Sequence, residues 1–124
     1  MLASAPIVAF VPTTDFDRSR AFYSGLLGLE LVESTPYALV LRGGATIVRV
    51  TKVDDLTPQP FTVLGWIVDN IASALENLRA GGVPAELFAG MEQNSLGVWT
   101  TPAGDRIAWF KDPDGIVLSM TQPV

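Results

Sequence analysis

Residues 7–31 read IVAFVPTTDFDRSRAFYSGLLGLEL, and the fold turns on how this stretch is read. Ile7 to Pro12 is a continuous apolar run, the pattern of a strand covered on both faces. Asp15 follows as a helix N-cap, because its carboxylate can accept from the free amides of a first helical turn. Phe16, Ser19, Phe22, Tyr23, Leu26 and Leu27 then recur at spacings of three and four, which puts them on one helix face. Gly28 is placed to end that helix, and Leu29 to Glu33 resumes as a strand.

Outward from this stretch, Tyr37 to Leu41 and Thr46 to Lys52 read as two strands joined at Arg42-Gly43-Gly44-Ala45. Asp54 to Pro60 holds two adjacent aspartates and two prolines and reads as a linker. The pattern then restarts. Phe61 to Val68 is a strand, Asn70 a cap, and Ile71, Ala74, Leu75 and Leu78 a helix face stopped by Gly81 and Gly82. Pro84 to Phe88 reads as a short strand. Val98 to Thr101 and Arg106 to Lys111 form a hairpin around Pro102-Ala103-Gly104-Asp105. Asp112-Pro113-Asp114-Gly115 is a second turn, before a last strand from Ile116 to Thr121.

An offset of 55 residues lays Val8 on Val63, Asp15 on Asn70 and Phe16 on Ile71. A repeat of that length predicts two similar halves. They are module 1, about residues 5–53, and module 2, about 61–122, with 54–60 as linker, within one domain spanning 1–124.

Composition narrows the chemistry. Of the 124 residues, 48% are hydrophobic and 17% charged, enough apolar surface for one packed domain. Eight Lys and Arg against 13 Asp and Glu give a net charge of −5, without the basic patch of a nucleic-acid binder. There is no Cys and no His, so thiolate chemistry and imidazole ligands or bases are absent. No apolar run is long enough for a membrane span, and a cytoplasmic location is the expectation.

Val11-Pro-Thr-Thr-Asp-Phe-Asp-Arg-Ser-Arg-Ala-Phe-Tyr-Ser-Gly-Leu-Leu-Gly-Leu-Glu-Leu resembles the opening module of the vicinal oxygen chelate superfamily, the glyoxalase, bleomycin-resistance and extradiol-dioxygenase group. Trp109-Phe-Lys-Asp-Pro-Asp-Gly-Ile-Val-Leu-Ser resembles its closing hairpin. The resemblance implies an α+β fold of two βαβββ modules. These form a curled mixed sheet around a cleft, with helices on the outer face and commonly a homodimer. In many members a divalent metal sits in that cleft. Carried over, the metal-ligand positions fall on Val8, Val63, Ser119 and a residue near Arg49 or Thr51. Two valines offer no lone pair, serine is a weak neutral ligand, and an arginine repels a cation. No metal and no other cofactor is therefore expected.

The carried-over positions also mark the cleft side, since alternate strand residues face opposite ways. Val8 and Phe10 then face the cleft, as do Phe61, Val63, Gly65 and Ile67, with Trp66 turned to the helices. Val117, Ser119 and Thr121 face it on the last strand. Pairing across the turns sets Phe110 opposite Val117, Ala108 opposite Ser119, Trp99 opposite Ala108, Thr101 opposite Arg106 and Arg49 opposite Ala38. On the middle strands Tyr37, Leu39, Leu41, Val48 and Val50 make the core face, leaving Arg49 on the cleft side.

The candidate ligand-binding residues are thus Phe10, Arg49, Phe61, Trp99, Arg106, Phe110 and Ser119. They combine apolar walls with a few polar groups, as small-molecule sites do; alternatively the aromatics simply fill a core. Gly65 can mark close approach by another group. Glu92 is either a cleft-edge acid or a solvated loop carboxylate, and Asp112 and Asp114 belong to a turn. The composition and resemblance together point to a metal-free protein that binds an amphipathic or aromatic small molecule. A metal-independent isomerase, epimerase or cyclase is the alternative. A divalent-metal lyase or dioxygenase is disfavoured by the missing ligands.

Overall fold

Asp15 and Asn70 each cap a helix. Asp15 Oδ1 accepts from Arg18 N at 3.1 Å, and Asn70 Oδ1 from Ser73 N at 3.0 Å. Around these two caps the computed structural model describes residues 1–124, which divide into two units, Met1–Thr57 and Pro58–Val124.

The first unit runs β1 (Val8–Thr13), α1 (Phe16–Arg20) continuing into a π-helical segment (Ala21–Leu26), β2 (Glu30–Ser34), β3 (Ala38–Gly43) and β4 (Thr46–Lys52). The second runs β5 (Thr62–Ile67), α2 (Ile71–Ala80), β6 (Trp99–Thr100), β7 (Arg106–Lys111) and β8 (Val117–Gln122). Each unit forms one four-stranded mixed sheet, in the orders β1-β4-β3-β2 and β5-β8-β7-β6. The orders are the same once the second is renumbered, so the repeat in the sequence is a repeat of topology. In each sheet the first strand pairs parallel with the last, which requires a crossover, and the helix lies in that crossover. The fold is α+β with two βαβββ modules. No helix is long and apolar enough to cross a membrane.

Each sheet buries one face. In the first unit Val11, Leu41 and Val50 are fully buried together with Tyr23 from the π-helical segment. In the second, α2 buries Ile71, Leu75 and Leu78, and the sheet buries Ala108, Phe110, Leu118 and Met120. Side chains of this size stabilise by about 1.5–3 kcal/mol each when fully buried. The joint between β1 and α1 is polar but satisfied: Ser19 Oγ donates to Thr13 Oγ1 at 2.6 Å, with both residues inaccessible to solvent.

Several expectations need correction. The first helix is not α-helical throughout. From Ala21 it widens, and Leu27 N donates five residues back to Phe22 O at 2.9 Å. The wider turn accommodates two adjacent buried rings, Phe22 and Tyr23, packed edge to face at 5.0 Å. β1 is not covered on both faces, since Val8 and Phe10 are 40% and 59% exposed. Tyr37 is not a core residue. It is 82% exposed in the turn before β3, where its amide donates to Thr35 Oγ1. Pro84 to Phe88 forms no strand, although Glu86 N donates to Trp109 O at 2.8 Å. A glutamine side chain serves the amide two residues on, where Phe88 N donates to Gln93 Oε1.

Candidate functional site

The uncovered face of each sheet is the candidate surface for a ligand. In the first unit the register sets Phe10 beside Arg49 and Arg49 beside Val40, so all three share the open face. The predicted partner of Arg49, Ala38, pairs with Thr51, two residues along on the same face. Arg49 therefore lies on the expected side despite the altered pairing. Glu33 also pairs with Val40, placing a carboxylate on the other side of that residue from the guanidinium.

In the second unit Gly65, Ser119 and Trp109 are paired across β5, β8 and β7. Trp109, not Ala108, is the neighbour of Ser119. Phe110 pairs with Leu118 and Arg106 with Gln122, both on the helix side. Phe110 is 1% exposed and stacks on Trp66 at 6.0 Å. The assignment of Phe110 and Arg106 to the open face is thus corrected. The cause is the turns. Asp112 N donates to Ile116 O, so the loop is the three residues Pro113, Asp114 and Gly115, with Gly115 at φ +86°. Thr101 N likewise donates to Asp105 O around Pro102, Ala103 and Gly104, with Gly104 at φ +99°. A three-residue hairpin loop ends in a left-handed residue and shifts the register by one relative to a two-residue loop.

Two such slips cancel at Trp99. It pairs with Ile107, not Ala108, yet Ile107 lies on the open face, and so does Trp99. Trp66 pairs with Met120 on the helix side, as expected. Phe61 lies one residue before β5 and is 60% exposed. A bulge between Thr62 and Leu64 breaks the alternation that placed Phe61 and Val63 on the open face and puts Thr62 opposite Val117. Gly65 does mark a close approach, but by Ser119: a β-carbon on Gly65 would stand 2.7 Å from Ser119 Oγ.

On the open face of the second unit three rings form a cluster. Trp109 Nε1 donates to Thr62 Oγ1 at 3.1 Å, which draws the indole across β8 toward β5. Trp99 stacks on Trp109 at 6.4 Å, and Phe88 meets it edge-on at 5.4 Å. Beside them lies a pocket of about 420 Å³ lined by Phe88, Ala89, Gly90, Met91, Glu92 and Trp99. Its loop is held by Gln93. The Gln93 amide donates to Glu86 O at 3.0 Å and to Gly97 O at 2.8 Å, while its oxygen accepts from Phe88 N at 2.8 Å. The sequence reading gave no site role to Trp109 or Phe88. The signal that would have found Trp109 is the glycine closing each of the two hairpin loops.

The chemistry available is limited. At the carried-over metal positions stand Val8, Val63, Ser119 and a residue near Arg49 or Thr51. No three His, Cys, Asp or Glu side chains come together as a metal set. These donors do not fit a divalent ion. Asp112 Oδ1 is engaged by the amides of Asp114 and Ile116, as a turn carboxylate is. What the second unit's open face offers is aromatic surface, hydroxyls and the Glu92 carboxylate at the pocket.

A model of the Glyoxalase/Bleomycin resistance protein/Dioxygenase superfamily matches residues 6–120, and the chain belongs to that superfamily. Among solved structures it is similar to TnmS3, an antibiotic binding protein from Streptomyces sp. CB03234, at 25% identity and a TM-score of 0.76 over 100% of this chain and 99% of that one. It is also similar to TioX from Micromonospora sp. ML1, at 17% identity and a TM-score of 0.74, covering 97% and 99%. Lactoylglutathione lyase from Agrobacterium tumefaciens shares 19% identity at a TM-score of 0.73, covering 96% and 93%. Those last two show a shared fold alone. Among curated proteins, none matches the chain.

Proposed function

We propose that this chain is a metal-free binding protein for an aromatic or amphipathic small molecule, held on the open face of the second unit. The observation that carries this is the Trp99–Trp109–Phe88 cluster beside a pocket of about 420 Å³, a size within the range of small-molecule sites. The superfamily includes both binders and enzymes, and the similarity to an antibiotic binding protein favours binding. The two valines and the serine at the carried-over metal positions favour a reading without a metal.

In the same reading Ser119 contributes to the second unit's ligand surface. Phe10 and Arg49 supply a ring and a guanidinium on the first unit's own open face. The chain acts as a homodimer, in keeping with its mean hydropathy of +0.34 and with exposed Ile7, Val8, Phe10 and Val32. A metal-independent enzyme is the second reading, favoured by one observation: Glu92 is a carboxylate lining the pocket and could act as a general base.

The test is a fluorescence titration against a panel of aromatic drugs and dyes. Stacking on an exposed ring adds roughly 0.5–1.5 kcal/mol beyond burial. A bound ligand quenches Trp99, and Trp99→Phe removes most of the signal while Trp66→Phe keeps it. Retention of the signal in Trp99→Phe, with loss in Trp66→Phe, would place the ligand on the helix side and reject the site.

A further inference from the structure

We infer that the pocket on the second unit selects organic cations, meaning a quaternary or protonated ammonium group carried by the ligand. This rests on the reading of that pocket as the ligand site. Phe88 and Trp99 line it, and both pack on Trp109. An aromatic face carries negative potential, so a cation against it gains an attraction that a neutral group of equal size does not. The Glu92 carboxylate and the polarisable Met91 thioether complete the lining.

None of the unit's positive side chains lines the pocket. Lys111 shares the open face with Trp109, in register with Val117, and is paired there with Glu86 at 3.2 Å. Arg106 is in register with Gln122 on the helix side, and Arg79 is on the last turn of α2. Residues 58–124 hold seven Asp and Glu against three Lys and Arg, a net of −4 out of the chain's −5. The unit's own net charge, with Glu92 in the lining and no cation there, therefore favours positive ligands over negative ones. The three hydrogen bonds of Gln93 hold the 86–97 loop before any ligand arrives, so little ordering opposes binding.

The experiment follows the indole N–H resonances of the three tryptophans in ¹⁵N-labelled protein. The probes are choline, its uncharged isostere 3,3-dimethylbutan-1-ol, and benzyl alcohol as an uncharged aromatic. Choline is expected to shift the Trp99 and Trp109 signals, leave Trp66 in place, and bind about tenfold more tightly than its isostere. Glu92→Gln changes an exposed loop residue. It is expected to weaken choline about three- to fivefold and to affect the neutral probes less than choline.

Equal binding of choline and its isostere overturns the cation selectivity. So does binding of benzyl alcohol alone, and either result leaves the pocket standing as a ligand site. A choline preference untouched by Glu92→Gln overturns the assignment to this pocket. Silence of Trp99 toward all three probes overturns both the selectivity and the reading beneath it.

Discussion

Gln93→Ala tests whether the loop from Glu86 to Gly97 is a built wall or a passive connection. The side chain makes three hydrogen bonds of 2.8–3.0 Å, to Phe88 N, Glu86 O and Gly97 O. A net value of about 0.5–1.5 kcal/mol per bond applies to an ordinary intramolecular hydrogen bond. Gln93 is half-buried, which argues for the lower part of that range, about 1.5–3 kcal/mol in all. For a chain of this length the loss corresponds to a fall in Tm of roughly 5–12 °C. Urea unfolding followed by circular dichroism measures it, and hydrogen exchange at the Phe88 amide shows whether the loop opens locally. Gln93→Glu is expected to be worse than alanine at neutral pH, because a carboxylate would face two carbonyl oxygens. That deficit should shrink as acid protonates the introduced carboxyl, since the folded state then gains by binding the proton. A loss below about 0.5 kcal/mol with unchanged Phe88 protection would refute the reasoning, because surface substitutions without structural role fall within that margin.

Trp66→Phe should destabilise by about 1 kcal/mol in the same assay, since its ring stacks on buried Phe110; Trp99→Phe, half-buried against Trp109 on the open face, should cost less. Gly97→Ala should lower stability by about 2 kcal/mol or more, because Gly97 sits at φ +91° and a β-carbon there would stand 2.7 Å from that of Ala85. Elemental analysis of purified protein should find no stoichiometric Zn, Fe, Mn or Ni, and one such ion per chain would reject the metal-free reading. Light scattering should give twice the 13.3 kDa chain mass at micromolar concentration, and a monomer mass would reject the dimer.

What the sequence alone determined is what acts over a few residues. Asp15 and Asn70 could be named as caps because capping is a local competition for the first-turn amides. Ile71, Leu75 and Leu78 showed the buried face of α2 because helical period is a local property. The repeat at 55 residues was legible for the same reason, since it compares one local pattern with another. The expectation of no metal at Val8, Val63 and Ser119 rests on the resemblance and on side-chain chemistry, since valine has no donor and serine only a weak one in any register.

What only the tertiary structure decided is which way a side chain faces. β7 is flanked by two hairpins, and each loop has three residues because Gly104 and Gly115 take left-handed conformations. With period-two alternation, one such slip moves Phe110 and Arg106 to the helix side and brings Trp109 to the open face. Trp99 kept its side only because a second slip undid the first. The loop from Pro84 to Gly97 was beyond local pattern as well. Its shape is set by one glutamine bonding backbone groups four, five and seven residues away, and that non-local closure brings Phe88 and Glu92 to the same pocket as Trp99.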